Sequence, residues 1–279
     1  MELNDIKKKY SSIFSVHPDF YNDFKIITSY VLDIDIDDWS IFKKVDEKQA
    51  KKIDKYIVQH LKKNVPIQKI VGGTLFYDVF IPYSKHTLTP RMETELLVEK
   101  VLEEIGDRQL DVLDLCCGSG CIGIAIANKS NANVVCSDYS KEAIKDTFVN
   151  AMSNGVYIRV VWSDMFQGIN SKFDIIVSNP PYISESEYKT LDRLVKKNDP
   201  KMALVAQDNG LSYYKIIANQ AHTFLNDGGK LFLEIGYRQG EDVVDMLDEN
   251  FEDIRLIKDY SGNDRIIVAT KKKEKQNVR

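Results

Sequence analysis

The run Asn179-Pro180-Pro181-Tyr182 directly follows an apolar stretch, Phe173 to Ser178, and has the most restrictive chemistry in the chain. Two successive prolines fix two φ angles and remove two N–H donors, leaving a stiff row of carbonyl acceptors beside the Asn179 amide and the Tyr182 ring. Such a set suits a planar group bearing an NH2. A polyproline exit from a buried strand is the bland alternative. A second cluster, Asp114-Leu115-Cys116-Cys117-Gly118-Ser119-Gly120, closes another apolar run and leads into the apolar segment Cys121 to Ala127. Glycines let backbone approach a ligand closely, and the helix that follows presents unpaired N–H groups, as in a nucleotide-type loop.

Gly118, Gly120 and Gly123 also fit G-x-G-x-x-G, with Asp138 lying 18 residues after Gly120, which is the dinucleotide-binding pattern. Against that, Asp114 stands four places before the first glycine, where a dinucleotide loop would still be apolar strand. Its carboxylate favours a ligand with a positive or hydroxyl-bearing part. A ligand-free turn eased by glycine is the competing view. Asp138 closes the run Asn133 to Ser137, and its carboxylate could accept from two vicinal hydroxyls of a ribose. Asp164 follows a third run and could accept from an exocyclic adenine amine. Either one alone serves equally well as a helix N-cap; their placement after successive strands makes the functional case.

These residues need a scaffold that collects strand ends. Short apolar runs at 111 to 115, 133 to 137, 156 to 161, 173 to 178 and 229 to 236 alternate with helical patterns at 93 to 105, 140 to 153 and 210 to 225. Alternation of this kind predicts a parallel sheet covered on both faces, with ligands beyond the carboxyl ends of its strands. About ten residues separate the third run from the fourth, short for a parallel crossover. Ile254 to Tyr260 and Ile266 to Thr270 flank Ser261-Gly262-Asn263, a hairpin that makes the last strand antiparallel. Upstream, Phe20, Phe24, Ile27 and Val31, then Ile53, Ile57 and Leu61, recur at helical spacing. The segment around Gly72-Gly73 and Pro82 predicts a hairpin. The expected divisions are a helical domain at 1–66, a β-hairpin linker at 67–88, an α/β domain at 89–270 and a charged tail at 271–279.

Composition narrows the chemistry further. The 279 residues are 43% hydrophobic and 29% charged, as in a globular chain. The net charge of −4 disfavours nucleic acid as the main partner, because phosphate-binding proteins usually carry a basic excess. The longest apolar stretch, near Val112 to Ala127, is broken by Asp114, Ser119 and glycines, so no membrane span is expected. The start lacks a signal-peptide pattern, which gives a cytoplasmic expectation with reduced cysteines. Cys116, Cys117, Cys121 and Cys136 lack the C-x-x-C or histidine spacing of zinc sites, so no metal is expected. His17, His60, His86 and His222 read as surface or linker residues.

With Asp114-x-x-x-Gly-x-Gly, Asp138, Asp164 and Asn-Pro-Pro-Tyr in this order, residues 89 to 270 resemble class I S-adenosylmethionine-dependent methyltransferases. The runs Pro66 to Ile70, Leu88 to Glu95, Asn179 to Ile183, Pro200 to Gly210, Glu234-Ile235-Gly236 and Lys258 to Arg265 extend this across most of the chain. Together they are similar to the protein-(glutamine-N5) methyltransferases that modify peptide chain release factors. The resemblance implies a Rossmann-like seven-stranded sheet with a small helical N-terminal domain. It implies S-adenosyl-L-methionine held by Asp114, Cys116, Cys117, Gly118, Ser119, Gly120, Asp138, Asp164, Met165 and Asn179. Substrate glutamine would sit on Asn179, Pro180, Pro181 and Tyr182, the expected catalytic set. Arg91 and Glu93 would close one wall of the site, or simply open a helix, since acidic residues suit its N-terminal end. Two positions depart from the family: Cys116-Cys117 replaces the usual Gly-Thr, and Met165 replaces a common Trp. The N-terminal domain would recognise the release factor, and a monomer is expected. An adenine-N6 nucleic-acid methyltransferase and a non-catalytic S-adenosylmethionine-binding protein are the rival readings.

Overall fold

A computed structural model describes residues 1–16 and 20–273. The expectations for His17 and for the tail beyond Lys273 therefore fall outside the described residues. The chain divides into two compact units, Met1–Thr74 and Leu75–Arg279.

The first unit is helical: Leu3–Lys9 (α1), Ser11–Val16 (α2), Phe20–Leu32 (α3), Glu47–Lys63 (α4) and Ile67–Val71 (α5). Its core is built from the periodic residues Phe20, Phe24, Ile27 and Val31 of α3 against Ile53 and Ile57 of α4. Asp46 starts α4 with a capping box: its carboxylate accepts from the Gln49 N–H at 2.7 Å, and the Gln49 side chain accepts from the Asp46 N–H at 3.0 Å. His60 is no loose surface residue. Its Nε2 lies 3.1 Å from Asp23 Oδ2 and its Nδ1 2.9 Å from the Val65 carbonyl, so α4 is tied to α3. Helix α5 occupies the start of the segment expected to be hairpin linker. Pro66 precedes its first turn, where a missing N–H is harmless, and Gly72 ends it at φ +88°.

The hairpin proper is Gly73–Phe76 (β1) and Val79–Pro82 (β2), turning through Tyr77 and Asp78, both at positive φ. Within the second unit, Asn154 pairs with Phe80 through two hydrogen bonds of 2.9 Å, and the Tyr77 N–H donates to Glu95 Oε1 at 3.1 Å.

That unit continues with Met92–Ile105 (α6), Asp111–Leu115 (β3), Cys121–Lys129 (α7), Asn133–Asp138 (β4), Lys141–Ser153 (α8), Arg159–Trp162 (β5) and Phe173–Ser178 (β6). Glu185–Thr190 (α9), Arg193–Asn198 (α10), the irregular turn Gln207–Gly210 (α11), Ser212–Phe224 (α12), Leu225–Glu234 (β7), Gly240–Leu247 (α13), Phe251–Lys258 (β8) and Asp264–Lys271 (β9) complete it. Seven strands form one sheet in the order β5-β4-β3-β6-β7-β9-β8, an α/β Rossmann-like architecture. β3 to β7 run parallel, and β9 lies antiparallel between β7 and β8, as the hairpin signal predicts.

Side chains alternate between the two faces. Val112, Ile175 and Val177 pack with Ile122 and Ile126 of α7, whereas Leu113, Ile176 and Leu231 pack with Tyr214 and Ile217 of α12 and Val243 of α13. The third strand begins at Arg159 rather than 156, because Val156 is held back by a bond from its N–H to the Ala151 carbonyl after α8. The short β5-to-β6 connection survives by burying Phe166 and Ile169 without a helix. Lys271, expected in the charged tail, ends β9 instead: it is buried, its Nζ donating to the Leu225 carbonyl and to Asp227.

Candidate functional site

The chain runs from β3 outward to β4 and β5, then returns to β6 on the other side of β3. A crevice forms where strand order reverses. Leu115 pairs with Ser178, so the loops that follow β3 and β6 emerge side by side, tied by Ser178 Oγ donating to the Leu115 carbonyl at 2.6 Å. The two sequence signals are thereby brought to one place. Cys116, Cys117, Gly118, Ser119, Asp138, Asn179, Pro181 and Arg91 line a single cleft of about 100 Å³.

Asp138 closes β4 at the cleft wall. Its Oδ2 accepts from the Gly118 N–H at 2.9 Å and its Oδ1 from the Ser140 N–H at 2.8 Å. Burial raises its pKa above the ordinary aspartate value, while these bonds hold the carboxylate in one orientation. Asp114 is not on the wall. It is fully buried beneath the loop, with Oδ2 accepting from the Gly123 N–H at 2.9 Å and Oδ1 without a partner among the described residues. Burial pushes its pKa up to about 7. Helix α7 sits so close that a Cβ on Gly123 would lie 2.3 Å from Cys136 Sγ and 3.1 Å from Asp114 Oδ2. Asp114 thus anchors the helix that carries the loop, a role its sequence position did not distinguish from ligand contact.

The Asn179 to Tyr182 loop is held from behind. Pro180 is buried; the Tyr182 carbonyl accepts from Gln239 Nε2 at 3.0 Å; burial takes the Tyr182 phenol up to about 12. Asn179 Nδ2 donates to Thr94 Oγ1 of α6 at 3.3 Å, so one side of its amide is already engaged. Arg91 pairs with the buried Asp199, 2.7 Å away, whose other oxygen accepts from the Thr89 N–H at 3.1 Å. Glu93 is exposed in the first turn of α6 and, like Gly120, Asp164, Met165, Pro180 and Tyr182, is outside the cleft lining. Asp164 is exposed, and Met165 is buried with its Sδ 3.8 Å from Cys116 Sγ.

Tyr139, Ser140, Thr94 and Tyr213 line the cleft without having been singled out in the sequence. For Tyr139 and Ser140 the signal was available, since they directly follow a strand-closing aspartate. His86 also borders the cleft. Among the described residues no cluster of three or more His, Cys, Asp or Glu could hold a metal ion. Burial raises the pKa of the Cys116 and Cys121 thiols, keeping them protonated.

Residues 91–203 match the model of the methyltransferase small domain family. A protein from Fusobacterium nucleatum is 38% identical over 245 residues, 86% of this chain and 69% of its own length. One from Lactococcus lactis is 42% identical over 214 residues, covering 76% and 79%, and one from Clostridium botulinum is 40% identical over 243 residues, covering 84% of each. All three are named release factor glutamine methyltransferase. This chain belongs to that family. Among solved structures, a methyltransferase from Pyrococcus furiosus covers 81% of this chain and 98% of its own at TM-score 0.54 and 16% identity. A T. thermophilus 16S rRNA N2 G1207 methyltransferase, solved with AdoMet and guanosine, covers 72% and 50% at TM-score 0.52 and 20% identity. Both share the fold. Cys116, where the resemblance leads one to expect glycine, adopts φ +61°, in the left-handed region that favours glycine. A left-handed L-residue costs roughly 1–2 kcal/mol. The two departures touch each other, through the Cys116 and Met165 sulfurs.

Proposed function

We propose that this protein methylates the side-chain amide nitrogen (N5) of the glutamine in the Gly-Gly-Gln motif of peptide chain release factors, using S-adenosyl-L-methionine. The cleft's donor set suits that cofactor. Asp138 offers a fixed carboxylate for vicinal hydroxyls, and the loop Cys116 to Gly120 leads into the N-terminus of α7, whose N–H groups suit a carboxylate. When bound, S-adenosylmethionine supplies an already activated methyl group. The protein's own task is to orient a poor nucleophile, because an amide lone pair is delocalised into its carbonyl. Proximity of this kind contributes about 7–11 kcal/mol.

The observation that carries the reading is the engagement of Asn179 Nδ2 by Thr94, which leaves Oδ1 as the acceptor at the cleft. Oδ1 and the Pro180 carbonyl would take the two N–H bonds of the substrate amide. Negative partial charge then lies near the nitrogen as positive charge develops on it, and no strong base is needed. Tyr182 would fix the amide plane. Arg91, locked to Asp199, would shape the wall. The helical N-terminal unit would recognise the release factor, since a pocket for one glutamine cannot distinguish it from other glutamines. Among the described residues no helix is long and apolar enough to cross a membrane. That accords with work in the cytoplasm, where translation occurs. A net charge of −4 does not suit the adenine-N6 alternative, which would need a basic groove.

The test offers labelled S-adenosylmethionine with a release factor and with the same factor lacking the Gly-Gly-Gln glutamine. Label is expected on the first alone. Equal label on both would redirect the assignment.

A further inference from the structure

Glu234 is the last residue of β7, next to β6 in the sheet. Ser178 pairs with Leu233, so Asn179 and Glu234 leave the sheet as neighbours. The Glu234 side chain is 2% exposed, and Oε2 finds no hydrogen-bond partner among the described residues. Thr94 of α6 and Asn179 face this carboxylate, and Asn179 Nδ2 donates to Thr94 Oγ1 at 3.3 Å. The Glu234 backbone is fixed as well, its carbonyl accepting from the buried Tyr214 hydroxyl at 3.0 Å. Desolvating a carboxylate costs several kcal/mol, and a well-packed apolar side chain is often as stable or better. Fold stability therefore does not account for this residue.

We propose that Glu234 is a positioning residue for the methyl acceptor: an acceptor-only group that draws the Asn179 amide N–H and the Thr94 hydroxyl, and so keeps Asn179 Oδ1 turned toward the substrate. This rests on the reading of Asn179 as the partner of the substrate amide. The two orientations of a carboxamide fill nearly the same space and differ only in which end donates. In the reversed orientation Asn179 would present N–H to a substrate N–H, two donors with no bond between them. Only a neighbour that refuses one orientation selects the other. An ionised carboxylate does so, and a neutral carboxamide or carboxylic acid does not.

A pH signature follows. Burial pushes the Glu234 carboxyl up to about 7. The groups facing it are Thr94 and Glu93 from α6, Asn179 and Tyr182 after β6, Arg265 from β9, Tyr214 from α12 and Cys121 from α7, with Arg265 lowering its pKa and Glu93 raising it. As pH falls through about 7 the carboxyl gains a proton, becomes a donor and releases the orientation. Turnover should fall on that acid side.

The experiment measures kcat of the full-length protein from about pH 5.5 to 9 with labelled S-adenosylmethionine and a release factor, for wild type and Glu234→Gln, alongside cofactor Kd by calorimetry. Glu234→Gln should lose kcat on the order of 10²-fold, the scale of removing one preorganised hydrogen-bonding group, with cofactor Kd within about threefold. Its residual activity should lack the acid limb. Thr94→Ser should retain kcat and Thr94→Val lose it, which decides the matter if Glu234→Gln does not fold. Wild-type kcat and an unchanged acid limb in Glu234→Gln, or equal kcat in the two Thr94 variants, would overturn the inference while leaving the proposed function standing. A wild type that does not label the Gly-Gly-Gln glutamine would instead remove the reading on which it rests.

Discussion

Gly210→Ala should disable the protein by pushing on the back of the Asn179 to Tyr182 loop. Gly210 lies at φ +90° at the end of α11, where Asp208 and Asn209 are also left-handed. A Cβ there would sit 2.2 Å from the Tyr182 carbonyl oxygen, 3.0 Å from its carbon and 2.8 Å from Gln239 Nε2. The collision falls on the hydrogen bond that holds the loop. Left-handed backbone costs an L-residue roughly 1–2 kcal/mol. Overlap with backbone that cannot swing aside adds about 1–3 kcal/mol. Their sum, about 2–5 kcal/mol, corresponds to a fall in Tm of roughly 4–20 °C for a unit of this size. A loop shift approaching 1 Å should also cost about 10²-fold in kcat. Gly228→Ala is the control: φ is +76°, but an added Cβ meets nothing within 4 Å among the described residues. It should show the backbone cost alone, with kcat intact. Thermal unfolding and methyl-transfer kinetics on both variants decide the matter, and equal Tm and kcat for the two would refute the clamp.

Two further outcomes concern the first loop. Cys116→Gly should relieve the φ +61° strain but forfeit the contact with Met165, so a double-mutant cycle with Met165→Leu should return a coupling of about 0.5–1 kcal/mol in thermal unfolding; additive variants would contradict the pairing. Asp114, with its pKa raised from the ordinary carboxylate value to about 7, contributes stability that is present below about pH 4 and is lost as pH rises through about 7. Asp114→Asn should therefore gain stability relative to wild type between pH 5 and 8, by about 4 kcal/mol at most. A difference in unfolding free energy that stays flat with pH would count against a buried charge there.

Much of the site was legible because its chemistry is local. Paired prolines stiffen whatever strand they follow, and glycines after an apolar run announce a loop, so Asn179 to Tyr182 and Cys116 to Gly120 needed no tertiary knowledge. The hidden parts depend on partners distant in the chain. Arg91 meets Asp199 across 108 positions, and Asn179 meets Thr94 across 85. Asp114 carried a residue type suited to ligands, yet its burial sends it to α7 instead. Ile67 to Val71 read as part of a β segment because Gly72-Gly73 dominates the local pattern, while burial of Ile67 and Ile70 makes it helical. Lys271 looked like tail until two oxygens near the start of β7 gave its amine a buried place.

The most direct measurement is methyl transfer to a release factor by Asn179→Ala, with folding checked by circular dichroism and Tm. The account predicts turnover reduced to background in a protein that still folds, because the substrate amide has lost its side-chain acceptor. Turnover within a few-fold of wild type would contradict it.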